Sequence, residues 1–221
     1  MFLRRYPCHP KEWLLGEILD QERLDAGMDR SIVKWEVAGI PFVVVLGSAL
    51  HFAFAWSGYW RPLALVAAVN ESVWEHLKLA FWPSLLWTLM EYRVLKLDAR
   101  SFWAAKGFAL LLAPVLIVII FYGYTSLLGR NIIALDIATF VIAITAAQLV
   151  SAQLVKANFQ TVWLRTIGIA LLVCQLAAYS AFTFHTPPFA LFEDPRNGIR
   201  GIPAVETPSP SGTHGSDIFD D

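Results

Sequence analysis

Asn70-Glu71-Ser72-Val73-Trp74-Glu75-His76-Leu77-Lys78 gathers two carboxylates, an amide, a hydroxyl, an imidazole and an ammonium group into nine residues. Leu63 to Val69 before it and Leu79 to Met90 after it are apolar. An island of ionisable groups between apolar runs belongs at or just inside the edge of a bilayer, where such side chains are expensive and are kept for a function. The chain as a whole agrees: its 221 residues are 57% hydrophobic and 16% charged, with a mean hydropathy of +0.54. Soluble domains run at roughly 45–50% apolar and about 25% charged. The composition therefore places the chain in the membrane class.

A net charge of -1 gives no electrostatic footprint for nucleic acid, so the basic residues matter through their positions. Cys8 and Cys174 fall in an N-terminal segment and in an apolar helix, and two such cysteines make no disulfide framework. Arg4 and Arg5 are followed by a polar run to Arg30 and not by an apolar core, so no secretory leader is expected and insertion begins with the first hydrophobic helix.

Pro10 opens a helix expected to run to about Gly27, with Leu15, Ile18 and Leu19 as a narrow apolar stripe suited to packing at the membrane surface or on the protein's cytoplasmic face. Five apolar segments follow at about 37–56, 75–95, 107–126, 132–154 and 163–184. Each has the roughly 20 residues needed to cross about 30 Å of hydrocarbon. Arg61 to Val69 is too short to span and reads as a half-helix or re-entrant piece leading into the second span. The expected fold is thus all-α, a polytopic membrane bundle of five transmembrane helices. An N-terminal cytoplasmic or interfacial segment (1–35) precedes a transmembrane domain (36–192), and a Pro-, Gly- and Ser-rich tail (193–221), mostly disordered, follows it.

Lys and Arg are enriched in cytoplasmic loops. The N-terminal segment carries six, the connection after the second span Arg93, Lys96, Arg100 and Lys106, and that after the fourth Lys156 and Arg165; the alternate connections hold only Arg61 and Arg130. This alternation predicts a cytoplasmic N-terminus and an external C-terminus in the cell membrane. Trp56, Trp60 and Trp74 then mark the outer interface and Trp35, Trp103 and Trp163 the inner one.

Topology assigns a depth to each intramembrane polar group. His51, the Asn70 to Lys78 stretch, Tyr122 and Tyr124, Asp136 and His185 all come to the outer side. His51, His76 and His185 with Asp136 form a metal-ligand set of nitrogen and oxygen donors suited to zinc, with Glu71 or Glu75 as general base and Ser72 behind the ligands. Structural readings stand beside this one. Ser72-Val-Trp-Glu75 is a capping-box pattern and Asn70 a good N-cap. Glu75 and Lys78, at i,i+3, can neutralise each other as a buried ion pair, and a histidine at a helix end is commonly satisfied by hydrogen bonds alone. Asn70-Glu71-Ser72 also matches a glycosylation sequon, but it abuts the membrane. Pro83 and Pro114 are expected to kink their helices, and Gln148 and Gln153 to hydrogen-bond to neighbouring ones.

The runs Leu50-His51-Phe52 with Trp56-Ser57, Val69 to Leu79 with Pro83 and Glu91-Tyr92, and Pro187-Pro188 with Leu191-Phe192-Glu193-Asp194-Pro195 resemble the prokaryotic membrane-protein family designated domain of unknown function 6512. The resemblance spans about Lys34 to Ile202, which makes residues 1–30 an addition and Met28 an alternative start. It implies a multi-pass membrane protein and brings no activity. Ser72-x-x-x-His76 is more weakly similar to the Ser-x-x-x-His element of alkaline ceramidase-like membrane hydrolases, whose site holds zinc on histidines and an aspartate. This chain departs from them in having five expected spans where they have seven, and His185 alone on its last span. Two functions are expected from these features. One is a metal-dependent hydrolase acting at the outer leaflet on an amide or ester of a lipid or envelope molecule. The other is a small transporter or accessory membrane protein relaying protons or ions through Glu71, Glu75, His76 and Lys78.

Overall fold

The computed structural model describes residues 10–203. Arg4, Arg5, Cys8 and the tail beyond residue 203, with His214, lie outside the described residues. Among the described residues the chain is helical, with one isolated bridge between Glu193 and Arg200 and no strand.

Helix α1, Pro10–Trp56, is continuous over 47 residues, about 70 Å at 1.5 Å per residue. A separate surface helix ending near Gly27 was expected, and the structure corrects this. No proline interrupts the junction, one interior glycine costs only about 1 kcal/mol, and extending an existing helix needs no new nucleus. Ile32 and Glu36, both buried, anchor the continuation in the bundle. Residues 16–30 are exposed throughout, so this stretch prolongs the helix instead of packing on the bundle's end.

A single 3-10 turn, Arg61–Leu65, leads into α2, Val73–Leu95. Helices α3, Ala99–Leu128, α4, Ile133–Lys156, and α5, Val162–Phe184, complete the bundle. Asp98 caps α3 by accepting from the Ser101 N–H at 2.8 Å, and Gly129 ends it in the left-handed region at φ 68°. Pro41, Pro83 and Pro114 lie inside helices that run through them.

Four helices, α1, α3, α4 and α5, are long and apolar enough to cross a membrane, which suits a multi-pass protein. Helix α2 falls short because it carries Glu75, His76, Lys78 and Glu91. It is nevertheless the most enclosed: 12 of its 23 residues are buried, against 5 of 23 in α5. Its charges therefore face protein and not lipid. Helix α2 packs against α1 and α3; α3 also contacts α4 and α5, and α1 contacts α4.

The expected half-helix is only the five-residue 3-10 turn, followed by an irregular segment to Ser72. Pro62 sits in its first turn, and Asn70 and Ser72 divert the chain into a new helix start. Ala64, Ala67, Ala68 and Val69 are nonetheless buried, packed with Phe54. Irregular backbone at such depth is tolerated only when its polar groups find partners inside the protein. Here Lys78 Nζ donates to the Ala64 carbonyl at 2.7 Å, and the Glu75 carboxylate accepts from the Val69 N–H at 3.0 Å.

Three further expectations change. Trp74 is buried, not interfacial: its ring packs on Tyr179, Phe182 and Phe192 with centroids 4.7–5.6 Å apart. Gln148 is buried with its amide nitrogen unpartnered, while Gln175 ties α5 to α3 by donating to the Gly107 carbonyl at 3.0 Å. Residues 193–203 fold back over the head of α2: Asp194 is buried, and Asn70 Nδ2 donates to the Gly201 carbonyl at 2.9 Å.

Gly107 and Gly168 let α3 and α5 touch backbone to backbone. A Cβ on Gly107 would lie 1.8 Å from the Gly168 carbonyl oxygen, and one on Gly168 would lie 2.3 Å from that of Ala104. No rotamer change relieves a clash with backbone. Gly107→Ala is expected to cost about 1–3 kcal/mol, measurable as a lower unfolding midpoint in detergent. A change below ~0.5 kcal/mol would mean the helices separate freely.

Candidate metal centre

The N-terminus of α2 is built by its polar residues. Asn70 Oδ1 accepts from the Ser72 N–H at 2.9 Å, and Ser72 Oγ accepts from the Glu75 N–H at 3.4 Å. The reciprocal half of a capping box is missing. The Glu75 carboxylate reaches instead to Val69 N–H and to Lys78 Nζ, 2.7 Å away. Lys78 in turn donates to Thr183 Oγ1 on α5 at 3.3 Å. Lys78 is wholly buried and Glu75 nearly so, so this pair is internal framework.

That framework leaves Glu71 and His76 free to meet His51 of α1. The Glu71 Oε2 lies 3.5 Å from His51 Nε2 and 3.7 Å from His76 Nε2, with the imidazole centroids 5.2 Å apart. One ligand atom from each of the three residues falls within 4.8 Å of the other two, the one such group of metal-capable side chains among the described residues. Ligands held 2.0–2.1 Å from a tetrahedral ion stand about 3.3 Å apart. Both histidine–carboxylate separations are within a few tenths of an ångström of that spacing.

Hydrogen bonding orients the donors. His76 Nδ1 lies 2.9 Å from the Ser72 carbonyl, which can only accept, so Nδ1 carries a proton and Nε2 is the nitrogen turned toward Glu71. Such an outward hydrogen bond from the second ring nitrogen is characteristic of ligating histidines. His51 Nδ1 is buried without a partner. The hydrogen bond from His51, aided by the charges of His51, His76 and Arg196, outweighs desolvation and holds the Glu71 carboxyl below its usual range. Glu71 is therefore held as a carboxylate.

The remaining expected site residues are placed otherwise. Asp136 on α4 accepts from the Tyr124 hydroxyl, and His185 is an exposed residue ending α5; neither joins the group. Equal depth does not bring them in, because depth along a helix leaves its azimuth open. Ser72 stands behind His76 through its carbonyl, with its hydroxyl used as the cap. Glu75 spends its carboxylate on Lys78 and Val69.

Sequence reasoning missed Asp194 and Arg196. Asp194 accepts from the Glu71 N–H at 3.1 Å and from the Arg196 N–H at 2.8 Å, fixing the loop that carries the acid. Arg196, exposed at its tip, brings a guanidinium to 3.3 Å from Glu71 Oε2. The signal was present in the signature run ending Glu193-Asp194-Pro195, which lay next to sequence assigned to a disordered tail.

Neither curated proteins nor solved structures yield a match, so nothing there supports the likeness to ceramidase-like hydrolases. The sequence model described as a family of unknown function, DUF6512, covers residues 26–202, taking in all five helices' packed portions and the His51, Glu71, His76 and Arg196 cluster, and the chain belongs to that family.

Proposed function

We propose that His51, Glu71 and His76 bind a divalent metal, zinc by their donor set, and that the protein is a metal-dependent hydrolase of the cell membrane acting on an amide or ester of a lipid or envelope molecule. The observation that carries this reading is the convergence of two imidazole nitrogens and one carboxylate oxygen within 4.8 Å of one another, with the carboxylate 3.5 and 3.7 Å from the two nitrogens. Zinc held by two histidines and a glutamate would supply a Lewis acid and a water activated near neutral pH.

The chain's own groups supply the rest. Glu71, and not the pair-bound Glu75, is the carboxylate available to hold the metal, and Arg196 offers positive charge where an oxyanion or anionic headgroup would sit. The loop charges support an external position for the site and a cytoplasmic N-terminus. In the relay alternative, Glu75 and Lys78 would have to exchange partners that already satisfy them.

Metal analysis of the purified full-length protein tests the proposal. About one equivalent of zinc is expected in the wild type and none in His76→Ala, with Glu71→Gln greatly weakened. A metal-free wild type after incubation with zinc would overturn it. Zinc that is bound without any turnover of lipid amides or esters in vesicles would keep the site and sink the hydrolase.

A further inference from the structure

Glu36, Glu91 and Lys106 meet at the opposite end of the bundle; Glu36 lies about 22 Å along α1 from His51. Lys106 Nζ is 2.6 Å from Glu36 Oε1 and 2.5 Å from Glu91 Oε2, and it donates to Ser151 Oγ at 3.0 Å. The Ser151 hydroxyl donates to Glu36 Oε1 at 2.5 Å. Helices α1, α2, α3 and α4 thus each contribute one group. The three ionisable side chains are exposed by no more than 2%.

Charge counting sets this cluster apart from Glu75 and Lys78. That pair is neutral when both members ionise. Two carboxylates around one ammonium leave a net charge of -1. Among the described residues no second cation pairs with either carboxylate: α1 brings Glu36 and α3 brings Lys106. Helix α4 adds only the neutral Ser151 and Gln148. A surplus buried charge costs several kcal/mol, and a carboxylate in that position takes up a proton instead.

Two independent features agree. Glu36 Oε2 and both carboxylate oxygens of Glu91 are buried without hydrogen-bond partners, Oε2 of Glu91 having only the ion-pair contact with Lys106. Gln148 Nε2 is likewise unpartnered and lines a cavity with Lys106, Ser151, Ser84 and Thr88 that has room for about one water molecule.

We propose that Glu36, Glu91 and Lys106 form a proton-binding site in which the folded chain holds one proton on Glu91 and exchanges it with water; the cavity lined by Ser84, Thr88, Gln148 and Ser151 reaches the cluster at Lys106. Glu91 is the holder because Glu36 Oε1 accepts from both Lys106 and Ser151, whereas Glu91 is paired with Lys106 alone; the better-bonded carboxylate stays ionised. Exchange breaks one O–H bond on Glu91 and forms one on water, and no other bond changes. The site is independent of the metal reading.

Infrared spectroscopy of the full-length protein in lipid nanodiscs at neutral pH should show the C=O stretch of an un-ionised carboxylic acid. That band is expected to vanish in Glu91→Gln, a near-isostere of the neutral acid, and to move in Glu91→Asp. Stability provides a second readout. Above the ordinary glutamate pKa of about 4.3, the unfolded chain has released a proton that the folded chain keeps, so raising the pH disfavours folding by up to about tenfold per pH unit. Glu91→Gln should flatten that slope. A wild type without the band, or a band unchanged in Glu91→Gln, overturns the proposal; if the glutamine variant does not fold, a band that fails to move in Glu91→Asp does so.

Discussion

Lys106→Met unfolds at a markedly lower denaturant concentration than the wild type, with a loss of about 3–5 kcal/mol, the usual consequence of removing one partner from a buried ion pair. Methionine keeps the length and apolar stem of lysine, so packing against Phe102, whose ring centroid lies 5.4 Å from Nζ, is largely retained. What disappears is, among the described residues, the only positive charge paired with Glu36 and Glu91. Glu36 is then an anion with a single hydroxyl partner, Ser151. Adding Glu36→Gln to Lys106→Met should restore most of the stability, because with a proton on Glu91 no ionised group is left in the cluster. Unfolding followed by tryptophan fluorescence gives both numbers. A loss below ~1 kcal/mol for the single variant would mean that water already screens the cluster.

Lys106 also marks where sequence reasoning stops. Counted as a loop cation, it helped set orientation by the positive-inside rule, and α3 was expected to begin at 107. The helix begins at Ala99, capped by Asp98, and buries Lys106 in its second turn. The cap was readable, since Asp98 stands three residues before Ser101, but the apolar length of the span drew attention first. Helices α4 and α5 were found within two residues of their ends because a span of fixed length bounded by polar residues is a one-dimensional property. The association of Glu36 with Glu91 and Lys106 is not: their partners lie 55 or more positions apart in Glu36's case and meet only when α1, α2 and α3 pack. The same distinction runs through the candidate metal centre. Depth put His51, Glu71, His76, Asp136 and His185 at one level; only packing decides that the first three face one another. Arg196 and Asp194 could not be placed by depth at all, since they belong to the segment that folds back after α5.

Lys78→Met should lose a similar 3–5 kcal/mol, but its rescue is expected to be incomplete, and the shortfall identifies what the pair does. Removing the ammonium leaves Glu75 as a buried anion held by the Val69 N–H. Glu75→Gln in the same chain removes that anion, and its amide oxygen can still accept from Val69. Well-packed neutral replacements of a buried pair are often neutral or stabilising. Here, however, the Ala64 carbonyl loses its one side-chain donor, Lys78, at a site without exposure. A buried carbonyl left unsatisfied costs about 1–3 kcal/mol. The double variant is therefore expected to stay about that far below the wild type, whereas full recovery would mean that the pair serves only to neutralise itself. The residual deficit falls on the Ala64 to Val69 segment, the buried piece of irregular chain that delivers Glu71 to His51 and His76. If the proposed site holds zinc, its affinity should accordingly fall in Lys78→Met although Lys78 touches none of His51, Glu71 and His76.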